Sequence, residues 1–149
     1  MGSATEFLSG IRSIVKLHES MLKDICEAYR LTLTEAAVIS FLHNNPQKDT
    51  AADIVELRML QKSNVSCAVE TLFQKHLLSR RQDEADRRKV HLSLTDEAAH
   101  IIESIDILQT EFQKEVFCGF SEEEREIFDS MNERISSNTK RAMERRGQK

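Results

Sequence analysis

A cluster of charged residues occupies the segment DEADRRKVHLSLT, which runs from Asp83 to Thr95. Its first half places Arg87 and Arg88 next to each other, and its second half alternates apolar and polar residues from Lys89 to Leu94. Alternation with a period of two is typical of a half-buried β-strand. Together with the preceding LLSRRQ, the segment predicts a two-stranded hairpin with a basic tip. Guanidinium groups on such a tip can enter the minor groove of DNA.

The segment before the hairpin, from Lys62 to Leu77, repeats its apolar residues with a period near 3.6 and predicts an amphipathic helix. The apolar side carries Val65, Val69, Leu72 and Leu77, and the other side carries small polar residues near the helix start. Such residues can meet base edges in the major groove, where Asn pairs with adenine and Ser is less selective. A helix of this kind followed by a basic hairpin is the arrangement of a winged helix-turn-helix. The predicted DNA-contacting residues are Lys62, Ser63, Asn64, Ser66, Cys67 and Lys75 on the helix, and Asp86, Arg87, Arg88 and Lys89 on the hairpin. Of these, Lys62 and Lys75 are predicted to contact phosphate, which positions a protein without specifying sequence.

The charge distribution is consistent with a nucleic-acid partner although the formal net charge is −4. From Arg58 to His91 the sequence has eight Lys or Arg residues and four acidic ones, so the excess of acid lies elsewhere. A basic segment on an acidic protein can bind phosphate while the rest limits non-specific adhesion. The alternative interpretation is an ordinary solvated run of charges.

The remaining sequence predicts a mainly α protein of one domain, because it has only four glycines and one proline in 149 residues. Ser3 and Glu6 form a possible capping box for a first helix of roughly 25 residues. Thr34 is predicted to cap a second helix that ends near His43, and Thr50 to begin a short third helix. Asp96 and Glu97 would open a fifth helix, and Ser121 with Glu124 a last one.

The segment from Asp53 to Leu78, followed by DEADRRKVHLSLTDEA, resembles the MarR family of bacterial winged-helix regulators. The resemblance rests most on the DxRR-like wing tip and the closing SLT. It implies one MarR-like domain over residues 1–149, with dimerisation helices in 1–30 and 96–149 and the winged-helix part in 31–95. It also implies that Asp86 braces the wing and that Arg88 enters the minor groove. The implied function is a ligand-responsive homodimeric repressor on a pseudo-palindromic operator.

Three positions depart from the family pattern. Cys67 stands where relatives often have a basic residue, which removes a phosphate contact and places a thiol at the predicted interface. His76 and Met59 stand where glycine is common, at the end of the recognition helix and in the turn before it. Both substitutions affect details of the turns, because residues other than glycine adopt positive φ with difficulty.

The resemblance implies a small anionic aromatic effector, for which Arg12, Lys16 and His18 on the first helix are the candidate ligand-binding residues. Cys26 lies near the end of that helix, whereas the peroxide-sensing relatives keep their thiol near its beginning. A zinc-sensing branch has Glu-His where this sequence has Ala36 and Ala37. His43, His100 and Glu103 do not restore metal-ligand spacing, so neither a metal nor a cofactor is expected.

Other functions remain as alternatives. The chain could be a helical protein-interaction module that keeps the winged fold without operator binding, or a thiol-based redox-sensing regulator using Cys26, Cys67 or Cys118. Enzyme activity is not expected, because the sequence has no Gly-rich phosphate loop, no GxSxG motif and no Cys/His cluster. The sequence also lacks a signal peptide pattern and a membrane-spanning stretch, so a cytoplasmic protein is expected.

Overall fold

The computed structural model describes residues 2–147 and shows a mostly helical chain with one antiparallel hairpin. This confirms the predicted fold class. The elements in chain order are α1 (Ala4–Tyr29), α2 (Leu33–Asn44), α3 (Ala51–Arg58), α4 (Lys62–Gln74), β1 (Leu78–Gln82), β2 (Val90–Leu94), a 3₁₀ turn (Asp96–Ala98), α5 (Ala99–Val116) and α6 (Glu122–Arg145).

Helix α1 has 26 residues and begins with the predicted capping box of Ser3 and Glu6. Its buried residues, Leu22, Ile25 and Cys26, all lie in its C-terminal half. The N-terminal half presents exposed apolar side chains, namely Phe7, Leu8, Ile11, Ile14 and Val15. Exposed apolar area of this extent is typical of a surface that another chain covers.

Helix α2 lies at the centre of the core, and its Ala36, Val38 and Ile39 have no exposed surface. The prediction that Thr34 caps this helix is wrong, because Thr32 is the N-cap and accepts a hydrogen bond from the Glu35 backbone N–H at 3.1 Å. The spacing explains the difference: Thr32 has a glutamate three residues later, which can accept from the Thr32 hydroxyl.

The core continues through α3 and α4, whose Ile54, Val65 and Leu72 are fully buried. Helix α4 ends at Gln74, so Leu77 is buried beyond the helix and not on its face as predicted. Met59, between α3 and α4, has φ 54°, and His76, after α4, has φ 64°. The turns therefore keep the left-handed backbone that favours glycine, and Met59 and His76 adopt it at a conformational cost.

The hairpin pairs β1 with β2 in a register that places Arg80 opposite Leu92 and Arg81 opposite His91. Leu92 is buried and Leu94 half-buried, but Val90 is exposed, so the predicted alternation of burial fails at the wing end of β2. The Leu92 backbone N–H donates to the carbonyl of Asp49 at 2.8 Å. The loop before α3 is thereby tied to the hairpin.

The chain divides into two compact units between Phe112 and Gln113, inside α5. In the first unit, Ile101, Ile105 and Leu108 of α5 are buried in the core. In the second unit, Phe117 forms edge contacts with Phe120 and Phe128, with ring centroids 5.5 and 5.0 Å apart. The predicted capping box of Ser121 and Glu124 begins α6, which has no buried residue in the part described.

Between residues 2 and 147, no helix has both the length and the apolar composition that a bilayer span needs.

Candidate nucleic-acid interface

Helix α4 presents its predicted polar face to solvent. Lys62, Ser63, Asn64, Ser66 and Cys67 are all exposed, while Val65, Ala68, Val69 and Leu72 are buried on the opposite side. No hydrogen bond within residues 2–147 engages the five exposed side chains. The N-cap, Gln61, makes no side-chain hydrogen bond to the first turn. Because first-turn N–H groups without an acceptor favour anions, this helix start is suited to a DNA phosphate.

The wing tip between β1 and β2 is organised by two aspartates. Asp83 Oδ2 accepts hydrogen bonds from the backbone N–H groups of Ala85 at 3.0 Å and Asp86 at 2.8 Å. Asp86 Oδ1 accepts from the backbone N–H of Arg88 at 3.0 Å and lies 3.4 Å from its Nε. The Arg88 side chain nevertheless keeps 92% of its surface exposed. Asp86 therefore holds the backbone N–H and Nε of Arg88, while most of the Arg88 side chain is exposed to solvent.

The adjacent Arg87 and Lys89 are also exposed, and their backbones are held in the same loop. Gln82 Nε2 donates to the carbonyl of Arg87 at 2.9 Å, and the backbone N–H of Asp83 donates to the carbonyl of Lys89 at 2.9 Å. The wing thus combines a restrained backbone with free cationic side chains. This combination favours binding in a DNA groove, because little backbone entropy is lost on contact.

A histidine between two aspartates joins the wing to the loop before α3, and sequence reasoning missed it. His91 Nδ1 lies 2.7 Å from Asp49 Oδ1, and His91 Nε2 lies 2.7 Å from Asp83 Oδ1. The hydrogen bonds to Asp49 and then Asp83 raise the pKa of His91 above its usual value. The hydrogen bond from His91, with those from the wing backbone, lowers the pKa of Asp83 to about 2. In the sequence His91 was only a polar residue in an alternating strand, because Asp49 is distant along the chain.

Lys75 is placed differently from the rest of the predicted set. Its Nζ donates to the carbonyl of Arg30 at 2.7 Å and to Oε1 of Glu35 at 3.1 Å, at the opposite end of α4 from Lys62. Glu35 is only 5% exposed. The ammonium group is thus engaged in a bridge between the end of α1, the start of α2 and the end of α4, so Lys75 is left out of the proposed phosphate contacts.

Arg80 on β1 is also engaged within the protein. Its guanidinium carbon lies 3.8 Å from the ring centroid of Phe73, and its Nη1 donates to Glu70 Oε2 at 3.0 Å. The exposed residue Arg81, next to it, is a further basic side chain of the hairpin that sequence reasoning did not single out. The signal was its position in LSRRQ, adjacent to the predicted wing.

The three candidate ligand-binding residues do not share one face of α1. Arg12 and Lys16 are exposed and four residues apart, whereas His18 lies more than about 100° around the helix from either, at 3.6 residues per turn. His18 is half-buried and makes an edge contact with Phe112, with ring centroids 5.0 Å apart. Burial, with the nearby charge of Arg58, lowers the pKa of His18.

In residues 2–147, no three His, Cys, Asp or Glu side chains come together as a metal site.

The three cysteines are free thiols in different surroundings. Cys67 and Cys118 are exposed, and Cys26 is buried. Burial and the nearby carboxylate of Glu35 raise the pKa of Cys26. Since the thiolate is the reactive form of cysteine, Cys26 is poorly suited to sensing oxidants. Cys67 is the accessible thiol on the exposed face of α4.

Known proteins resemble this chain in sequence and in fold. The family model described as transcriptional regulator SarA/Rot matches residues 20–105. The HTH-type transcriptional regulator PecS of Dickeya dadantii is 28% identical over 111 residues, which cover 73% of this chain and 67% of PecS.

Solved structures give the same fold. MepR of S. aureus in its DNA-binding conformation superposes with a TM-score of 0.79 at 21% identity, covering 89% of this chain and 98% of MepR. BpsR of Bordetella bronchiseptica, whose DNA binding is regulated by 6-hydroxynicotinic acid, superposes with a TM-score of 0.67 at 22% identity, covering 88% of this chain and 98% of BpsR.

The family match spans more than half of the chain and includes the helix-turn-helix, the wing and the first two turns of α5. The superposed structures confirm the winged-helix fold that the wing motif predicted. The chain therefore belongs to the SarA/Rot family of transcriptional regulators, which has the MarR-like winged-helix fold, and it is a DNA-binding regulator of transcription.

Proposed function

We propose that the protein is a homodimeric, effector-responsive repressor that acts in the cytoplasm on a pseudo-palindromic operator. The observation that carries this proposal is a pair of solvent-exposed surfaces, namely the polar start of α4 and the basic wing tip. The polar side chains of α4 and the guanidinium of Arg88 project away from the core. A recognition helix in the major groove, with a wing in the minor groove beside it, accounts for both surfaces.

The two surfaces are assigned to different parts of the DNA, α4 to the major groove and the wing to the minor groove. Ser63, Asn64, Ser66 and Cys67 are short enough to meet base edges, with Asn64 suited to adenine. Lys62 lies at the helix start, beside uncapped N–H groups, and is assigned to phosphate. Arg88, whose backbone N–H donates to Asp86, is assigned to the minor groove. Arg87 and Lys89 are assigned to the flanking DNA phosphates.

Two apolar stripes support the proposed dimer. On α1, Phe7, Leu8, Ile11, Ile14 and Val15 are exposed, each by 45% or more. On α6, Ile127, Phe128, Met131 and Ile135 are exposed by 42% or more. A second copy of the chain would cover these stripes with equivalent ones, as two-fold symmetry requires. The two recognition helices would then enter successive major grooves about 34–36 Å apart.

An effector would act by changing that separation. DNA binding by BpsR is regulated by 6-hydroxynicotinic acid, a small anionic aromatic compound, and the resemblance to MarR regulators implies an effector of this class here. Of the candidate residues, His18 has an aromatic neighbour in Phe112 and a nearby positive charge in Arg58. An effector that binds better to a dimer with misfitted spacing would release the operator by population shift.

Fluorescence anisotropy on labelled DNA from upstream of the protein's own gene tests the proposal, with scrambled DNA of equal length and a salt series. Selective binding that weakens steeply with salt is the expected result. Arg88→Ala should weaken selective binding by about 1–3 kcal/mol. The exposed wing residue Glu84 supplies the control, since Glu84→Ala removes no proposed contact. Equal binding to both DNAs would favour the interaction-module alternative.

The two exposed cysteines provide a second test within one molecule. Cys67 lies on the proposed DNA face, and Cys118 lies in the connection between α5 and α6. DNA should protect Cys67 from alkylation by N-ethylmaleimide and leave Cys118 reactive, as measured by mass spectrometry of the tryptic peptides. Equal protection of the two thiols, or none, would contradict the assignment of α4 as the recognition helix.

A further inference from the structure

We propose that His91, held between Asp49 and Asp83, is a positioning residue that fixes the wing for DNA binding and makes the affinity for DNA fall as pH rises. The proposal rests on the proposed DNA-binding role of the wing. His91 would not touch DNA itself, because its two ring nitrogens are occupied by carboxylates.

The hydrogen-bond chemistry requires a charged ring. Ionised carboxylates only accept hydrogen bonds, and a neutral imidazole has one N–H donor. Both ring nitrogens of His91 lie 2.7 Å from a carboxylate oxygen. Both contacts can be hydrogen bonds only when the imidazole carries two protons, and each is then charge-assisted. Loss of one proton leaves one nitrogen lone pair facing a carboxylate.

The Asp49–His91–Asp83 bridge, called the clamp below, connects the loop before α3 to the wing tip. On one side, Asp49 directly precedes the N-cap of α3, and its carbonyl accepts the Leu92 backbone N–H at 2.8 Å. On the other side, Asp83 uses its second oxygen to hold the backbone N–H groups of Ala85 and Asp86. Protonated His91 therefore joins the loop before α3 to the carboxylate that shapes the wing tip.

The same series of hydrogen bonds continues to the proposed minor-groove residue. The backbone of Asp86 is held by Asp83, and the Asp86 carboxylate is held against the backbone N–H and Nε of Arg88. A wing that is no longer anchored through Asp83 samples more positions, so placing Arg88 in the groove costs more conformational entropy.

The charges around His91 determine the direction of the pH effect. Asp49 and Asp83 face the ring from the two sides, and Arg81 lies opposite on β1 and lowers the pKa. The carboxylates outweigh Arg81, so the folded-state pKa lies above the ordinary value of 6.5. The clamp is then complete below that ordinary value and is lost as pH rises through the higher folded-state pKa.

The experiment measures the affinity for the upstream DNA between about pH 6 and pH 9, within the range in which histidine titrates. For the wild-type protein, affinity should fall by about fivefold or more over this range, and by no more than about tenfold per pH unit for one proton. His91→Gln should bind weakly at the acidic end and show little dependence on pH, because an amide cannot donate to both carboxylates from opposite sides.

His43→Gln is the matched control, since His43 also contacts a carboxylate, Asp106, at 3.0 Å but lies on α2. It should keep the wild-type pH profile. Parallel profiles for wild type and His91→Gln would overturn the proposal.

NMR titration of the free protein separates the clamp from DNA binding. The backbone amides of Ala85 and Arg88 should shift with the same midpoint as the His91 ring. If no variant binds DNA selectively at any pH, the proposed function fails, and the NMR result alone decides on the clamp. Wing amides that do not follow His91, or a ring that titrates near 6.5, would overturn it.

Discussion

Replacing Lys75 with methionine distinguishes a structural role of this lysine from the DNA contact that its position in the sequence predicts. Lys75 Nζ provides one of the two side-chain hydrogen bonds to the Glu35 carboxylate, and the Thr32 hydroxyl provides the other at 3.0 Å. Lys75→Met leaves a 5% exposed carboxylate with the Thr32 hydroxyl as its one side-chain partner and also frees the carbonyl of Arg30.

The cost follows from the burial of the two partners. Breaking a fully buried ion pair costs about 3–5 kcal/mol, but the Lys75 side chain is 38% exposed, so water screens the pair and can reach the remaining carboxylate. We expect Lys75→Met to lower the free energy of unfolding by about 2 kcal/mol, measured by urea denaturation. Adding Glu35→Gln should recover about 1 kcal/mol, because it removes the uncompensated charge.

Lys62, the first residue of α4, and Lys75, which follows its last residue, should affect DNA binding and stability in opposite ways. Lys62→Ala should leave the urea midpoint unchanged and reduce the slope of log affinity against log salt by about 1, the effect of one phosphate contact. Lys75→Met should leave this slope unchanged. A reduced slope together with unchanged stability for Lys75→Met would refute the structural interpretation and restore Lys75 to the DNA interface.

Three further substitutions test the helix ends and the exposed stripe. Met59→Gly should raise the free energy of unfolding by about 0.5–1 kcal/mol, because glycine relieves a positive φ. Arg58→Gly, at the last residue of α3, should lower the free energy of unfolding by up to about the same amount. Destabilisation by both substitutions would contradict the turn assignment. Ile14→Asp should shift the protein towards monomer in sedimentation velocity, whereas Ser13→Asp on the same helix should not; a dimer that survives Ile14→Asp would exclude this stripe. Ser121→Ala should destabilise the start of α6 by about 1 kcal/mol, seen as faster amide hydrogen exchange there, and unchanged exchange would show that the cap contributes nothing.

The elements that short-range patterns determine could be predicted from the sequence. The capping boxes at Ser3 and Ser121 depend on residues three positions apart, and both occur at the predicted helix starts. The wing followed from alternation and turn composition within a short segment. Thr34 shows the limit of this reasoning, because Thr32 and Thr34 are both possible N-caps for α2. Thr32 is the N-cap in the structure, and it has Glu35 three residues later.

The features that sequence reasoning missed depend on contacts between distant parts of the chain. Lys75 is 40 residues from Glu35, and His91 is 42 residues from Asp49. Neither pairing leaves a periodic or motif-like trace. Lys75 was therefore predicted to contact phosphate, and His91 was treated as an ordinary polar residue of a strand. The predicted interface residues near the start of α4 needed no such partner, since exposure alone leaves them available.

These two long-range bridges bear on how an effector can control the protein. The Lys75–Glu35 bridge fixes the end of α4 to the end of α1, and the His91 clamp fixes the wing to the loop before α3. Each of the two surfaces proposed to contact DNA is thus held to the core by a charged contact that would be costly to break during binding. With both contacts in place, we expect a change at α1 to move the recognition helix and the wing together. An effector can then act without breaking either charged contact if it changes the contact between two copies of the chain. In the proposed dimer, that contact sets the spacing of the recognition helices.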